Sequence, residues 1–197
     1  RKRMYPKRFE NLIHAFQLLP GVGEKTAQRY AYTVLDWNAE ERETFINAIS
    51  HMKEDIHRCK ICGNLSDGEI CDICSDVNRN HHMICVVQSP KDIQSFESMQ
   101  EYNGVYHVLN GTINIQKGIL PDQLNIESLK NRIESENIEE IILATDPTVD
   151  GETTALYLEK MFKDHVKVTR LAYGIPMGSH LDYADSLTLL KAFENRK

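Results

Sequence analysis

Ile141-Ile142-Leu143-Ala144-Thr145-Asp146-Pro147-Thr148-Val149-Asp150-Gly151-Glu152 passes from an apolar run, through an acidic turn, into helix-forming sequence. The run Ile141 to Ala144 is short and uncharged, as a strand buried on both faces must be. Asp146, Asp150 and Glu152 follow where such a strand ends and a helix begins. In an open parallel sheet, ligands sit at that carboxyl end. The stretch therefore predicts a mostly parallel α/β sheet with acidic side chains at the edge where chemistry takes place.

Outward from it the same alternation recurs. Ile84-Cys85-Val86-Val87, Val105-Tyr106-His107-Val108-Leu109 and Val166-Lys167-Val168 read as further strands. Helical stretches are expected near 92–102, 127–136, 152–163 and 183–194. Strand and helix in turn make an α/β domain over 81–175, followed by a helical segment, 176–197, as a candidate oligomer contact. Cys85 lies within an apolar strand and reads as a small buried hydrophobe.

Upstream, Cys59-x2-Cys62 and Cys71-x2-Cys74 are separated by eight residues. Each pair can grip one metal from a tight turn, Gly63 and Gly68 ease the reversal, and four thiolates suit tetrahedral zinc. So short a module, 57–80, has no core of its own, and metal binding of roughly 10–16 kcal/mol would be its main folding energy. Zinc is preferred to a redox dithiol because no thioredoxin-like pattern surrounds the pairs. Four protein ligands leave no position for a catalytic water, so the zinc is expected to be structural. His57 could compete as a ligand, while the adjacent His81 and His82 are expected to be exposed.

Residues 1–56 change character again. Phe9, Leu12, Ile13, Phe16 and Leu19 recur at helical steps, and Ala27, Tyr30, Ala31, Val34 and Leu35 share a second helical face. A third helix is expected from about Glu41, with Phe45, Ile49, Met52 and Ile56 as its stripe. Leu19-Pro20-Gly21-Val22-Gly23-Glu24-Lys25-Thr26-Ala27 joins the first two. Gly21 and Gly23 permit positive φ and close approach of another backbone. The following helix start offers N–H groups to an anion, and Lys25 and Arg29, four apart, share one face and can meet neighbouring phosphates. The alternative is a plain tight connection between core helices.

The chain is acidic overall, at −6, with 29 acidic against 23 basic residues. Its first thirty residues are the reverse: Arg1, Lys2, Arg3, Lys7, Arg8, Lys25 and Arg29 face only Glu10 and Glu24. An electropositive head on an acidic body fits a head that meets phosphate, with Lys7 and Arg8 beside the turn, or simply a solvated surface. The 41% apolar content suits a globular protein. No apolar run reaches the roughly 20 residues of a membrane span, and the basic start lacks a signal-like apolar stretch. Together these lead to the expectation of a cytoplasmic chain with no membrane attachment.

Three resemblances follow from these residues. The glycine turn resembles the helix-hairpin-helix of DNA repair proteins, which holds sugar-phosphate without reading bases. Asp146 to Glu152 resembles the Asp-x-Asp-x-x-Gly-Glu signature of Toprim domains, whose catalytic members join a glutamate ending the first strand to two aspartates around magnesium. Here Gln88 stands in place of that glutamate and Thr148 in place of the second aspartate. Neutral groups cannot draw Mg²⁺ from its water shell, so metal-assisted phosphoryl chemistry is not expected. Asp146, Asp150 and Glu152 could still hold a cation weakly, or simply favour a helix start. No Gly-x4-Gly-Lys-Ser/Thr loop is present to hold a nucleotide.

The order of hairpin, four-cysteine module and Toprim-like domain, with Gly104 to Leu109, Leu143 to Val149 and Leu181-Asp182-Tyr183-Ala184-Asp185, resembles the bacterial RecR family of recombination mediators from about Tyr5 onward. That resemblance implies a non-catalytic DNA-binding mediator acting with RecO, and in some contexts RecF, to load RecA on single strands. It also implies a homo-oligomer, from a dimer to a tetrameric ring, that works at the nucleoid during repair. By motif position, Lys25 and Arg29 would face DNA and Cys59, Cys62, Cys71 and Cys74 would hold one zinc. The Toprim unit would be scaffold and partner surface, with Asp146, Asp150 and Glu152 exposed on it. Glutamate is common in the family at the place of Gln88, and asparagine at the place of Asp146. Two rival readings remain: a small Toprim-type metal-dependent nuclease or primase-like enzyme, and an adaptor that does not touch DNA.

Overall fold

The computed structural model describes residues 4–196. Arg1, Lys2 and Arg3, counted in the electropositive head, lie outside the described residues. The chain forms two compact units that divide between Asp55 and Ile56.

In the first unit, α1 (Lys7–Gln17) and α2 (Glu24–Asp36) pack on each other. Ala27 and Ala31, one turn apart and fully buried, let the helices approach over Ile13, with Phe9, Leu12 and Phe16 partly covered. The rings of Phe9 and Tyr32 close one end at 4.8 Å between centroids. The third helix departs from expectation. A capping box between Asn38 and Glu41 starts α3 (Ala39–Ser50) earlier than Glu41, and the helix stops short of Met52, which opens the one-turn α4 (Met52–Asp55). The unit has too few other side chains to cover the stripe. No residue of α3 is buried, and Phe45, Ile49, Met52 and Ile56 are all exposed.

The second unit opens with a two-stranded ribbon, β1 (His57–Arg58) antiparallel to β2 (Leu65–Ser66), and a single turn, α5 (Asp72–Ser75). The sheet is built from β3 (Asn80–Val87), β4 (Gly104–Val108), β5 (Glu140–Ala144) and β6 (Lys167–Arg170), all parallel in the order β4-β3-β5-β6. Helices α6 (Pro90–Glu97), α7 (Ile126–Ser135) and α8 (Val149–Phe162) connect the strands, and α9 (Ser186–Glu194) follows the last.

Strand alternation sorts the core into two faces. Ile84, Val86, Ile141 and Leu143 pack with Leu129, Leu158 and Phe162, whereas Cys85 and Val87 pack with Ile93 and Tyr106. Cys85 is thus the buried hydrophobe expected. Helix α6 begins and ends earlier than its 92–102 prediction. Ser89 and Asp92 form a capping box around Pro90, and Gln100, at φ 56, turns the chain toward β4. Glu97, the last residue of α6, is gripped by the Arg79 guanidinium and accepts a hydrogen bond from Tyr106 Oη at 2.6 Å. Beneath β4, the buried Arg132 donates to Tyr106 O at 2.9 Å and lies 3.4 Å from His107 Nδ1, tying α7 to the sheet edge.

Candidate functional site

Three places in the chain carry chemistry. The first is the cysteine module. Cys59, Cys62, Cys71 and Cys74 are buried and bring all four sulfurs within 4.8 Å of one another. The two Cys-x2-Cys turns fold toward each other, with Gly63 N–H donating to Cys59 O at 2.9 Å and Cys71 N–H to Cys59 Sγ at 3.4 Å. Crowding alone cannot accommodate four thiolates: the neighbouring Cys71 sulfur pushes Cys62 up to about 12, and Cys62 and Cys71 together raise Cys74. A divalent cation relieves that repulsion, and this soft, tetrahedral donor set fits one structural zinc. His57 is exposed on β1 and takes no part in the cluster.

The module also reaches the sheet. β4 is an edge strand, and the N–H of Val108 at its end donates to Cys62 O at 2.7 Å. The zinc knuckle thereby takes up a donor that an open sheet edge would leave bare. His81, expected in solvent, is half-buried and its Nε2 lies 2.9 Å from Asp76 O, just beyond the last cysteine. His82 is exposed as expected, its Nδ1 2.6 Å from Asn137 O.

The second place is the turn before α2. Gly21 adopts φ +78, a conformation that favours glycine. Gly23 is different. Its φ of −78 suits any residue, and nothing lies within 4 Å of where a Cβ would sit. No side chain caps α2, so its first-turn amides face outward with the positive end of the helix. Lys25 and Arg29 are exposed on that helix, and among the described residues neither has an ion-pair partner. Lys7 and Arg8 are exposed in the first turn of α1, where the helix dipole disfavours cations. The arrangement can hold an anion by backbone and side chain together.

The third place is the carboxyl edge of the sheet, where β3 and β5 run in register to Val87 and Ala144. Gly151 in the first turn of α8 sits so close to Asp146 that an added Cβ would lie 2.0 Å from its carbonyl oxygen, which explains the glycine. Thr148 Oγ1 caps the same helix by accepting from Gly151 N–H at 3.1 Å. Of the three acids expected to be exposed, only Asp146 is so. Asp150 and Glu152 are half-buried because internal donors hold them. Asn114 Nδ2 donates to Asp150 at 2.6 Å, Arg170 Nη2 donates to Glu152 at 2.6 Å, and Tyr173 Oη donates to Glu152. Burial works to raise the Glu152 carboxyl, but the bonds from Tyr173 and Arg170 prevail and hold it below its ordinary value.

Asp146 itself is met by Gln88. The carboxamide Nε2 donates to Asp146 Oδ2 at 2.6 Å, and Asp146 N–H donates to Gln88 Oε1 at 3.2 Å. Sequence reasoning singled out Gln88 for the charge it lacks, not for this pairing. It missed Asn114, Arg170 and Tyr173 altogether. A basic residue at the end of the last strand was the one available signal, and nothing marked the loop residue Asn114.

Comparison with known proteins divides the chain in the same sense. Residues 9–53 match the family model of the RecR helix-hairpin-helix, 56–76 that of the RecR four-cysteine zinc finger domain, 82–172 that of the Toprim domain and 174–197 that of the RecR C-terminal region. Over 194 residues the chain is 46% identical to the recombination protein RecR of Natranaerobius thermophilus, covering 98% of each.

Proposed function

This chain belongs to the RecR family of recombination proteins, and on that premise we propose that it is a non-catalytic DNA-binding mediator of repair. It acts in the cytoplasm, at the nucleoid, with RecO and in some contexts RecF, to promote RecA loading on single-stranded DNA. The observation that carries the reading is the turn before α2: a helix start with no side-chain cap, flanked by exposed Lys25 and Arg29, beside a Gly23 that nothing in its own unit requires. A phosphate backbone pressed against that turn accounts for all three features. Gly21 shapes the turn, and Lys7 and Arg8 extend the contact.

One such hairpin makes only a few salt-sensitive phosphate contacts. Repetition in a homo-oligomer, a dimer or a tetrameric ring, raises the effective concentration of the others once one is engaged. The acidic remainder repels DNA and leaves the Toprim face for proteins. Asp146, the exposed acid of that face, is placed at the RecO contact, with Asp150 and Glu152 holding the helix start beneath it. Domains follow the same division: hairpin over 1–56, zinc module over 57–80, Toprim unit over 81–175 and oligomer contact over 176–197.

Mass measurement in solution, with and without single-stranded DNA and RecO, tests the assembly. A multimer that binds both supports it, and a monomer that binds neither removes it. Nicking of duplex or RNA in Mg²⁺ or Mn²⁺ that disappears in Asp146→Ala would replace the mediator with an enzyme.

A further inference from the structure

We infer that Gln88 is a positioning residue whose carboxamide does at the sheet edge what a bound cation does elsewhere: it holds the Asp146 carboxylate against the tip of β3 without a metal. The pairing is reciprocal, amide N–H to carboxylate at 2.6 Å and backbone N–H to amide oxygen at 3.2 Å. It therefore fixes the carboxamide's orientation as well as its presence. The two residues end adjacent parallel strands, β3 and β5, so the pair closes the last gap in their ladder.

The surroundings make a neutral donor necessary. Asp92 lies close enough that the Asp146 charge adds to burial in raising its carboxyl, so a second acid already presses on this edge. The other acids of the motif are supplied in the same manner, Asp150 by the Asn114 amide and Glu152 by Arg170 and Tyr173. Each carboxylate has a donor drawn from the chain. A cation entering here would have to displace one of these bonds, and Gln88 has no charge to offer it. The inference deepens the non-catalytic reading at the same edge but does not depend on DNA or RecO.

The test is thermal unfolding of the full chain, zinc-loaded, with and without millimolar Mg²⁺. Wild type is expected to melt at the same temperature in both. Gln88→Glu sets two carboxylates against each other and is expected to melt about 4–8 °C lower without Mg²⁺, recovering when it is added. The exchange Gln88→Glu with Asp146→Asn rebuilds the amide–carboxylate pair in reverse and at the same combined length. It is expected to recover the wild-type midpoint with no metal and to lose the response to Mg²⁺. Should Gln88→Glu not fold without metal, its refolding in Mg²⁺ and the exchange variant give the same reading. A wild-type midpoint raised by Mg²⁺ overturns the inference, as does a Gln88→Glu protein indifferent to Mg²⁺ or an exchange variant no better than the single one. DNA binding by the same wild-type sample, measured in parallel, reports separately on the mediator reading.

Discussion

The turn before α2 and the carboxyl edge of the sheet are both places where a helix starts, yet they treat their polar groups in opposite ways. At the turn, α2 has no side-chain cap and its two cations stand in solvent. At the edge, Thr148 caps α8 and Gln88, Asn114, Arg170 and Tyr173 occupy the acids around it. Even the glycines differ. Gly151 is demanded by the carbonyl of Asp146, whereas Gly23 has open space around it. A polar group without an internal partner is available to an external one, so the turn is built to bind and the edge to hold its own shape.

The contrast extends to what keeps each unit folded. The second unit depends on buried groups that interlock, and the largest expected effect lies there. Removing zinc, by chelation or by Cys62→Ser, forfeits on the order of 10 kcal/mol of metal binding and frees the knuckle from Val108 at the edge of β4. Loss of the module's structure is expected, with an exposed strand edge that promotes aggregation. Zinc content, light scattering and amide exchange of β4 follow it. A sheet whose protection is unchanged in the zinc-free protein would separate module from sheet.

Next in size is a dependence on acid. His107 is fully buried, and burial first, then the nearby Arg132 charge, depress it to about 4 against the lift from the Asn125 carbonyl at 2.6 Å. A histidine lowered in the fold is neutral there but takes a proton when unfolded. Its contribution is complete above about pH 6.5 and is lost as pH falls toward 4, amounting to roughly 3 kcal/mol. Denaturant melts between pH 7 and 4 for wild type and His107→Gln isolate it, because acids such as Glu97 titrate in both. Parallel curves would place the loss elsewhere.

How much of this contrast was legible follows from the range of the interactions. Period and turn chemistry act over a few residues, so the strands, the hairpin and the Cys-x2-Cys pairs could be read directly. The identity of Gln88's partner spans 58 positions and Arg170 reaches back 18 to Glu152, distances no local pattern encodes. The stripe on α3 was read correctly as periodic but wrongly as one continuous helix, because the capping box at Asn38 and the break before Met52 set its ends. The acids of the Toprim motif were recognised by type, yet their exposure depended on donors that only the fold brings near.

At the turn the expected effects are on binding rather than folding. Lys25→Ala with Arg29→Ala should weaken single-stranded DNA binding about 10-fold or more at moderate salt, equally for all sequences. The slope of log affinity against log salt should become shallower by roughly 1–2. Stability should move by no more than about 0.5 kcal/mol, since both side chains are exposed away from special features. An unchanged slope would remove these two residues from the contact.

Gly23→Ala sharpens the comparison most finely, because here the two criteria oppose each other. The backbone at φ −78 and ψ 172 accepts alanine, and nothing lies within 4 Å to meet the new methyl. The lower freedom of alanine in the unfolded chain favours the variant, and its poorer performance before a helix disfavours it, so stability should change by less than about 1 kcal/mol. If a phosphate backbone seats against the α2 start, the same methyl stands in its path and affinity should fall several-fold with little change in salt slope, since no charge is removed. Anisotropy titration and a thermal melt on one preparation decide it. A variant that binds as wild type would show that the turn is an open connection between helices, and the distinction between a binding turn and a self-contained sheet edge would then rest on Lys25 and Arg29 alone.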